Sequence, residues 1–249
     1  EFTGVRRELK HPRFFRAFLS LTLELHGSDK ERRPLQDSKS LAHKVENGEV
    51  TALLFDLDGV LTPTTDLHKA AWSDLFTPFL EARGVAPYTE DDYYAHIDGK
   101  ARIDGVASLL ASRGISLPPG GPEQGEASGP TIWGMAEDKN ANFASILQTE
   151  GITPYPGSAA FLEHVARFEI PMAVVSSSKN ARDVLELSGL ADYFPVVVDG
   201  VYAAEQVLPG KPFPDTYLAA ASLVGSSPEQ AIVFEDALSG VAAGRAGHF

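Results

Sequence analysis

The chain has 249 residues, of which 43% are hydrophobic and 22% are charged, and these proportions exclude a fully disordered chain, a collagen and a coiled coil. The formal net charge of −13 argues against nucleic acid as a partner, because contacts between basic residues and phosphates dominate that affinity. Without cysteine the chain has no disulfide or thiolate chemistry, and without a signal peptide or a run of ~18 apolar residues we expect a soluble, cytoplasmic protein that binds no membrane.

The first 48 residues differ in charge from the rest of the chain. Residues 1–48 are basic, whereas residues 49–249 carry all of the acidic excess. Arginines alternate with phenylalanines and leucines as far as Leu21, and a polar run follows at 27–40. Two interpretations stay open: a weakly ordered leader and linker, which we favour, and a basic amphipathic helix for a membrane surface or a partner.

Four short apolar runs predict β-strands, and each of them stops at a polar residue. The runs are 50–55, 171–175, 194–198 and 231–234. Helical patterns at 159–168, 181–187 and 215–223 lie between successive runs. This alternation predicts an α/β fold with a doubly wound parallel sheet, whose reactive groups gather at the carboxyl ends of the strands.

A helical insertion follows the first predicted strand. No strand pattern occurs between Leu67 and Leu147, and the periodicity instead predicts helices at 67–82, 90–96, 102–113 and 136–147. The Pro- and Gly-rich stretch 117–130 is most simply a surface loop. We therefore divide the chain into a leader at 1–48, a core at 49–66 and 148–249, and a helical insertion at 67–147.

Asp56 and Asp58 lie at the end of the first strand, with Gly59 immediately after them. In extended backbone, residues i and i+2 point the same way, so the two carboxylates face one region. Like charges held this close are costly unless a cation or a proton bridges them. Such a pair is common by chance in surface turns, but its position after a buried strand favours a Mg²⁺ site or an acid/base pair.

Three further groups fit phosphoryl transfer. Ser176 ends the second strand and offers a hydroxyl, Lys211 is a cation on a stiff turn, and Glu235-Asp236 after the fourth strand supplies oxygen ligands for Mg²⁺. Each has a plainer interpretation as well. Lys211 alone would be a solvated surface lysine, and Glu235-Asp236 alone would be an acidic helix start.

The four groups in this order resemble the motifs of the haloacid dehalogenase-type phosphotransferase superfamily. Details within residues 50–249 are similar to its beta-phosphoglucomutase branch: Thr64, His68, Ala71-Trp72, Asp98-Gly99-Lys100-Ala101-Arg102, Lys139-Asn140 and Ser176-Ser177-Ser178-Lys179-Asn180. The resemblance implies a Rossmann-like core with a helical cap, dependence on Mg²⁺ and an aspartyl-phosphate intermediate.

The resemblance also implies a role for each matching residue. Asp56 matches the nucleophile and Asp58 the general acid/base. Phosphoryl oxygens would be held by Lys211 and Ser176, and Mg²⁺ by Asp56, the Asp58 carbonyl and Asp236 with support from Glu235. His68 would couple the cap hinge to Asp58, although a lone histidine is more often a packed or surface residue. A second phosphate of the substrate would be bound by Arg102, Lys100, Lys139, Ser178, Lys179 and Asn180.

Two features depart from the family pattern. Asp98 stands where a basic residue is expected in the cap, so phosphate binding by the cap would either be weaker or shift to Lys100, and the resemblance does not fix the identity of the sugar. The chain given also ends at Phe249, where the resemblance implies a further strand and helix, so we expect a fragment or a sheet completed in another way.

The leading functional hypothesis is a Mg²⁺-dependent phosphosugar mutase that converts beta-glucose 1-phosphate, or a close relative, to the 6-phosphate. Its partner would be a small phosphorylated sugar, with a bisphosphate as primer. The alternative is a sugar-phosphate phosphatase on the same scaffold, because the family resemblance does not decide whether water or sugar receives the phosphoryl group. A third hypothesis, a truncated and non-catalytic binding module, is disfavoured by Asp56, Asp58, Lys211 and Asp236 occurring together.

Overall fold

The computed structural model describes residues 41–122 and 130–249. Most of the predicted leader at 1–48 lies outside these residues, as does the 123–129 part of the predicted surface loop. The described end of the leader forms a helix, α1 (Leu41–Glu46), whose Leu41 and Val45 pack against the main hydrophobic cluster.

Four parallel strands form the sheet. They are β1 (Ala52–Phe55), β2 (Met172–Val175), β3 (Val196–Val198) and β4 (Ala231–Phe234), and their order across the sheet is β3-β2-β1-β4. Leu54 pairs with Ala173 on one side and with Val233 on the other. The predicted α/β class with a parallel sheet is confirmed, and all four apolar runs contain a strand.

Helices occupy the connections between the strands. Between β1 and β2 lie α2 (Thr64–Glu81), α3 (Glu90–Asp92), which continues as a π-helix (Tyr93–Ile97), α4 (Arg102–Ser112), α5 (Ile132–Glu150) and α6 (Pro156–Val165). After β2 come α7 (Ala181–Leu187), α8 (Gly200–Glu205), α9 (Asp215–Leu223) and α10 (Leu238–Ala246). In the described ranges no helix is both long and apolar enough to cross a membrane. A cytoplasmic location stays a prediction.

The sequence did not predict α8 and α10. With six residues, α8 is too short to display a helical period. Two glycines interrupt α10, and one of them has a packing reason, because a Cβ on Gly240 would lie 2.0 Å from a side-chain atom of Glu235. Glycine has a low helix propensity, so the residue that the contact with Glu235 requires also weakens the helical pattern of α10.

Successive residues of β1 pack into two different hydrophobic clusters. Leu53 and Phe55 pack on one face of the sheet, whereas Leu54 packs on the opposite face. A third cluster joins buried residues of α2, the π-helix, α4 and α5, and it is built around Trp72 and Phe76. We propose that this third cluster is the interior of a helical cap at 67–147, with 49–66 and 148–249 as the core domain.

Phe55 gives a test of how strongly the sheet core stabilises the fold. Its ring lies between those of Phe234 at 4.6 Å, Phe194 at 5.7 Å and Phe161 at 6.2 Å between centroids. We expect Phe55→Ala to lower the free energy of unfolding by about 3–5 kcal/mol, because truncation removes these contacts and leaves a cavity. Urea denaturation measures this change. The control is Phe213→Ala, since Phe213 is 60% exposed and should change stability by about 0.5 kcal/mol or less.

Candidate active site

A buried lysine lies at the carboxyl ends of three neighbouring strands. Lys211 Nζ lies 2.6 Å from Asp56 Oδ1 and 2.7 Å from Glu235 Oε2, and it also donates to the Val175 carbonyl at 3.2 Å. Asp56 follows β1, Val175 ends β2 and Glu235 follows β4, so the parallel sheet brings the three acceptors to one edge. The sequence placed Lys211 on a turn, and the structure buries its side chain in contact with Asp56.

Burial and charge shift the protonation of this pair. Burial and the nearby Glu235 carboxylate raise the pKa of Asp56 well above its ordinary value, and Lys211 offsets only part of this increase. Burial by itself would lower the pKa of Lys211, but Asp56 and Glu235 outweigh it and raise that pKa, so Lys211 stays charged.

Asp56, Glu235 and Asp236 form a cluster of oxygen donors. One oxygen from each lies within 4.8 Å of the others. Glu235 is fixed by the hydroxyl of Tyr217, which donates at 2.5 Å, and by the backbone N–H of Ala237 at 3.1 Å. Asp236 is an exposed residue, yet partial desolvation of its carboxylate, with the charges of Glu235 and Asp98, raises its pKa to about 7. The cluster therefore has the donors and the excess negative charge that suit a divalent cation.

Gly59 is what lets Asp236 approach the turn after β1. Its φ of +88° is unfavourable for other residues, and a Cβ at this position would lie 2.2 Å from Asp236 Oδ2. Position 59 therefore requires glycine for two reasons, its backbone conformation and the limited space beside Asp236.

Asp58 has a different environment from Asp56. It accepts hydrogen bonds from the Thr64 hydroxyl and from Ser176 Oγ, the latter at 3.2 Å, and His68 Nε2 lies 3.3 Å from its Oδ1. Burial would raise the pKa of Asp58, but the nearby His68 ring and the hydrogen bonds from His68 and Thr64 lower it to about 2. Asp58 is therefore an ionised carboxylate that can receive a proton.

A buried lysine continues the hydrogen-bond chain from Asp58. Lys139 Nζ lies 2.5 Å from His68 Nδ1, and the His68 ring stacks on Phe143 with 4.0 Å between centroids. When the ammonium of Lys139 donates to Nδ1, the imidazole proton belongs on Nε2, which faces Asp58. Burial and the neighbouring Arg102 lower the pKa of Lys139 to about 7.

Arg102 belongs to a second group of polar residues, which bridges α4, α5 and the segment after β2. Its terminal nitrogens donate to Asn140 Oδ1 at 2.5 Å and to Glu137 Oε1 at 2.9 Å. Asn180 Nδ2 donates to the same Asn140 oxygen at 2.8 Å, and Lys179 Nζ lies 3.4 Å from Glu137 Oε1. Within the described residues, the buried Nε of Arg102 has no hydrogen-bond partner.

A small inner cavity, of about 60 Å³, connects the two groups. Most of the predicted site residues line it: Asp56, Asp58, His68, Lys100, Arg102, Lys139, Ser178 and Asn180. Ser176 and Lys211 are buried and contact Asp58 and Asp56 instead. The side chain of Lys179 is 41% exposed and faces Glu137. The metal role proposed for the Asp58 carbonyl and the other assigned roles stay predictions.

Sequence reasoning missed several residues that shape the site. Tyr217 fixes Glu235, Glu137 pairs with Arg102, and Tyr93 lines the cavity. No local pattern marks Tyr217 or Glu137, because each contacts a partner from another element of the fold.

The parallel sheet with its carboxylates, buried lysine and hydroxyls defines a phosphoryl-transfer enzyme, either a phosphomutase or a phosphatase. The chain belongs to the haloacid dehalogenase-like hydrolase family, whose model matches residues 50–248. The beta-phosphoglucomutase of Mycobacterium bovis is 46% identical over 208 residues, which cover 81% of this chain and 79% of that protein.

Two further matches are named as a phosphatase and as a phosphomutase. Hexitol phosphatase A of Escherichia coli is 32% identical over 195 residues, covering 78% of this chain and 77% of that protein. A crystal structure of beta-phosphoglucomutase from Clostridium difficile matches with a TM-score of 0.64 and 27% identity, covering 80% of this chain and 82% of that one.

Lys211 offers a test of the charge balance at the site. We expect Lys211→Met to lower the free energy of unfolding by about 3–5 kcal/mol, because two buried carboxylates lose their shared cation. Urea denaturation of the metal-free protein measures this loss. Lys179→Met is the matched control and should cost about 1 kcal/mol or less, since its ion pair is exposed. Equal small losses in both variants would contradict the assigned role of Lys211.

Proposed function

We propose that the protein is a Mg²⁺-dependent phosphosugar mutase that converts beta-glucose 1-phosphate, or a close relative, to the 6-phosphate through an aspartyl-phosphate. In the part of the chain that the structure describes, the buried Nε of Arg102 has no hydrogen-bond partner. The observation that carries the proposal is a cavity that joins two groups of polar residues, one around Asp56 and one around Arg102. A mutase needs both, because it must hold a bisphosphate in two orientations. The 46% identity to a beta-phosphoglucomutase supports this choice.

The reaction has two half-reactions with the same residues. In the first, the 6-hydroxyl of the sugar attacks the phosphorus carried by Asp56, the bond from Asp56 to phosphorus breaks, and Asp58 takes the hydroxyl proton. The resulting bisphosphate then binds in the opposite orientation, with the phosphate of position 1 at Asp56. In the second, Asp56 attacks the phosphorus at position 1, the bond from that phosphorus to the sugar oxygen breaks, and Asp58 returns the proton to this oxygen.

The remaining residues hold and orient the reacting groups. Lys211 and Ser176 bind oxygens of the transferring phosphoryl group, which places it in line with Asp56. His68 keeps the Asp58 carboxylate oriented, and Lys139 holds the imidazole of His68. The phosphate that does not react binds Arg102, Ser178 and Asn180, with Lys100 and Lys179 at the margin.

The oxygen donors at the end of the sheet fit Mg²⁺. We infer that Asp56, Asp236 and the Asp58 carbonyl would hold the ion, with Glu235 in support. When bound, Mg²⁺ supplies positive charge that neutralises the transferring phosphate.

A phosphatase is the second candidate. It is favoured by the ion pairs of Glu137 with Arg102 and Lys179, because this carboxylate competes with a second phosphate for the same cations. The similarity to hexitol phosphatase A points the same way. A non-catalytic binding module is less well supported, since Asp56, Asp58 and Lys211 are all present and in contact with other residues of the site.

The Mg²⁺ assignment predicts stabilisation by the ion alone. At 100 times its Kd, Mg²⁺ should raise the free energy of unfolding by about 2.7 kcal/mol, because only the folded chain presents the clustered carboxylates. Thermal unfolding across a MgCl₂ titration measures the effect. Asp236→Asn should weaken it at least tenfold in apparent Kd, whereas Asp192→Asn, an exposed carboxylate elsewhere, should leave it unchanged. An unaltered midpoint temperature in wild-type protein would contradict the metal site.

The mutase proposal is tested by following isomer formation and phosphate release together. The wild-type protein, Mg²⁺ and candidate sugar monophosphates are incubated with and without a bisphosphate primer. We expect Arg102→Ala to lower primed isomerisation at least about tenfold, since a lost charge-assisted hydrogen bond contributes roughly 1.5–3 kcal/mol. Hydrolysis of acetyl phosphate, which leaves the second group of donors empty, should change much less.

The control for Arg102→Ala is Arg167→Ala, because Arg167 is exposed and precedes the amino end of β2, whereas the site lies at the carboxyl ends of the strands. Equal loss of both activities in Arg102→Ala would contradict a separate second phosphate site. Release of phosphate by the wild type without any isomer would establish the phosphatase instead.

A further inference from the structure

An outer groove adjoins the inner cavity, and Asp98 and Lys100 line both of them. The groove has a volume of about 440 Å³, and its other lining residues are Thr65, Tyr94, Ala95, Asp236, Leu238 and Ser239. Asp98 lines the same inner cavity as Asp56, so a sugar phosphate that binds at Asp56 lies beside Asp98.

The backbone at Asp98 is fixed against the core from two sides. Ser239 Oγ donates to the Asp98 carbonyl at 3.0 Å, and Ser177 Oγ donates to the Gly99 carbonyl at 2.9 Å. Gly99 has a φ of +70°, and a Cβ there would lie 2.0 Å from Ser239 Oγ. The close approach therefore requires glycine, and it places residue 98 at the boundary between the cavity and the groove.

Among the described residues, one side-chain donor holds the Asp98 carboxyl group. The hydroxyl of the buried Tyr93 forms a hydrogen bond with it. A carboxylate accepts about four hydrogen bonds in all, so acceptor capacity remains on the cavity side. Asp98 lies within electrostatic range of the carboxylates of Asp236 and Glu235 and of the ammonium groups of Lys69 and Lys211. A carboxylate at this position repels a phosphate and accepts hydrogen bonds from hydroxyl groups.

We propose that Asp98 determines which sugar the enzyme accepts, by receiving hydrogen bonds from one or two adjacent ring hydroxyls while Tyr93 positions its carboxyl group. The inference rests on the proposed sugar-phosphate substrate and assigns its recognition. It also explains how an acidic residue serves at this position: the ring hydroxyls face Asp98, and the phosphate that does not react faces Arg102.

The proposal is tested by a thermodynamic cycle in which the Asp98 side chain and single hydroxyl groups of the substrate are removed separately and together. Wild-type protein, Asp98→Ala and Asp98→Asn are assayed with the sugar phosphate that the wild type turns over best and with analogues that each lack one non-reacting hydroxyl. The readout is kcat/KM for total phosphoryl transfer, counted as isomer plus released phosphate. Acetyl phosphate hydrolysis is measured in parallel, since it requires Asp56 but no sugar contact.

We expect Asp98→Ala to lower kcat/KM for the parent sugar at least tenfold and acetyl phosphate hydrolysis less than twofold. One or two deoxy analogues should lose at least tenfold with the wild type and less than threefold further on going to Asp98→Ala, because both changes delete the same hydrogen bond. Asp98→Asn, which keeps one acceptor, should fall between the two. Tyr93→Phe should show a smaller loss that follows the same hydroxyl, and Asp91→Ala, an exposed carboxylate on α3, should show none.

Additive losses, in which every analogue falls equally in wild type and Asp98→Ala, would overturn the proposal. A matching fall in acetyl phosphate hydrolysis would overturn it too, by showing damage at Asp56 itself. If the wild type releases phosphate without isomer, the mutase assignment fails while the same cycle, followed by phosphate release, still decides the role of Asp98. If the wild type acts on no sugar phosphate, both proposals are wrong.

Discussion

The attraction between the Lys211 ammonium and the carboxylates of Asp56 and Glu235 is the interaction on which the site depends. A parallel sheet directs the carboxyl ends of its strands to one edge, so residues that follow different strands meet there. In this protein those residues are acidic, and their mutual repulsion in a buried position would be costly without a cation between them. Lys211 supplies that cation from a turn far along the chain.

The remaining negative charge gives the site its chemical character. Asp236 and Asp56 form an oxygen cluster with Glu235 that has more charge than one lysine balances. Such a cluster favours whatever brings positive charge to it, which connects the stability of the folded chain to a divalent cation. The clustering of these carboxylates is costly for the protein alone, but it prepares the site for phosphoryl transfer.

Two carboxylates only two residues apart have opposite environments. The pKa of Asp56 is raised by burial and by Glu235, whereas hydrogen bonds and the His68 ring lower that of Asp58 to about 2. Burial thus favours the protonated form of Asp56, whereas Asp58 stays ionised, so the nucleophilic role that we propose for Asp56 depends on cations beside it. The contacts from Asp58 through His68 to Lys139 also link the segment after β1 to α5.

The sequence by itself determined the parallel α/β core, because buried strands read as continuous apolar runs and each run stops at a polar residue. For the same local reason it identified Asp56, Asp58, Ser176 and the acidic pair that begins at Glu235. Only the tertiary structure decided which groups touch: Lys211 meets a carboxylate 155 residues away, and Tyr217 and Glu137 contact Glu235 and Arg102 on other elements. Such contacts follow from strand order and helix packing, which no local pattern encodes.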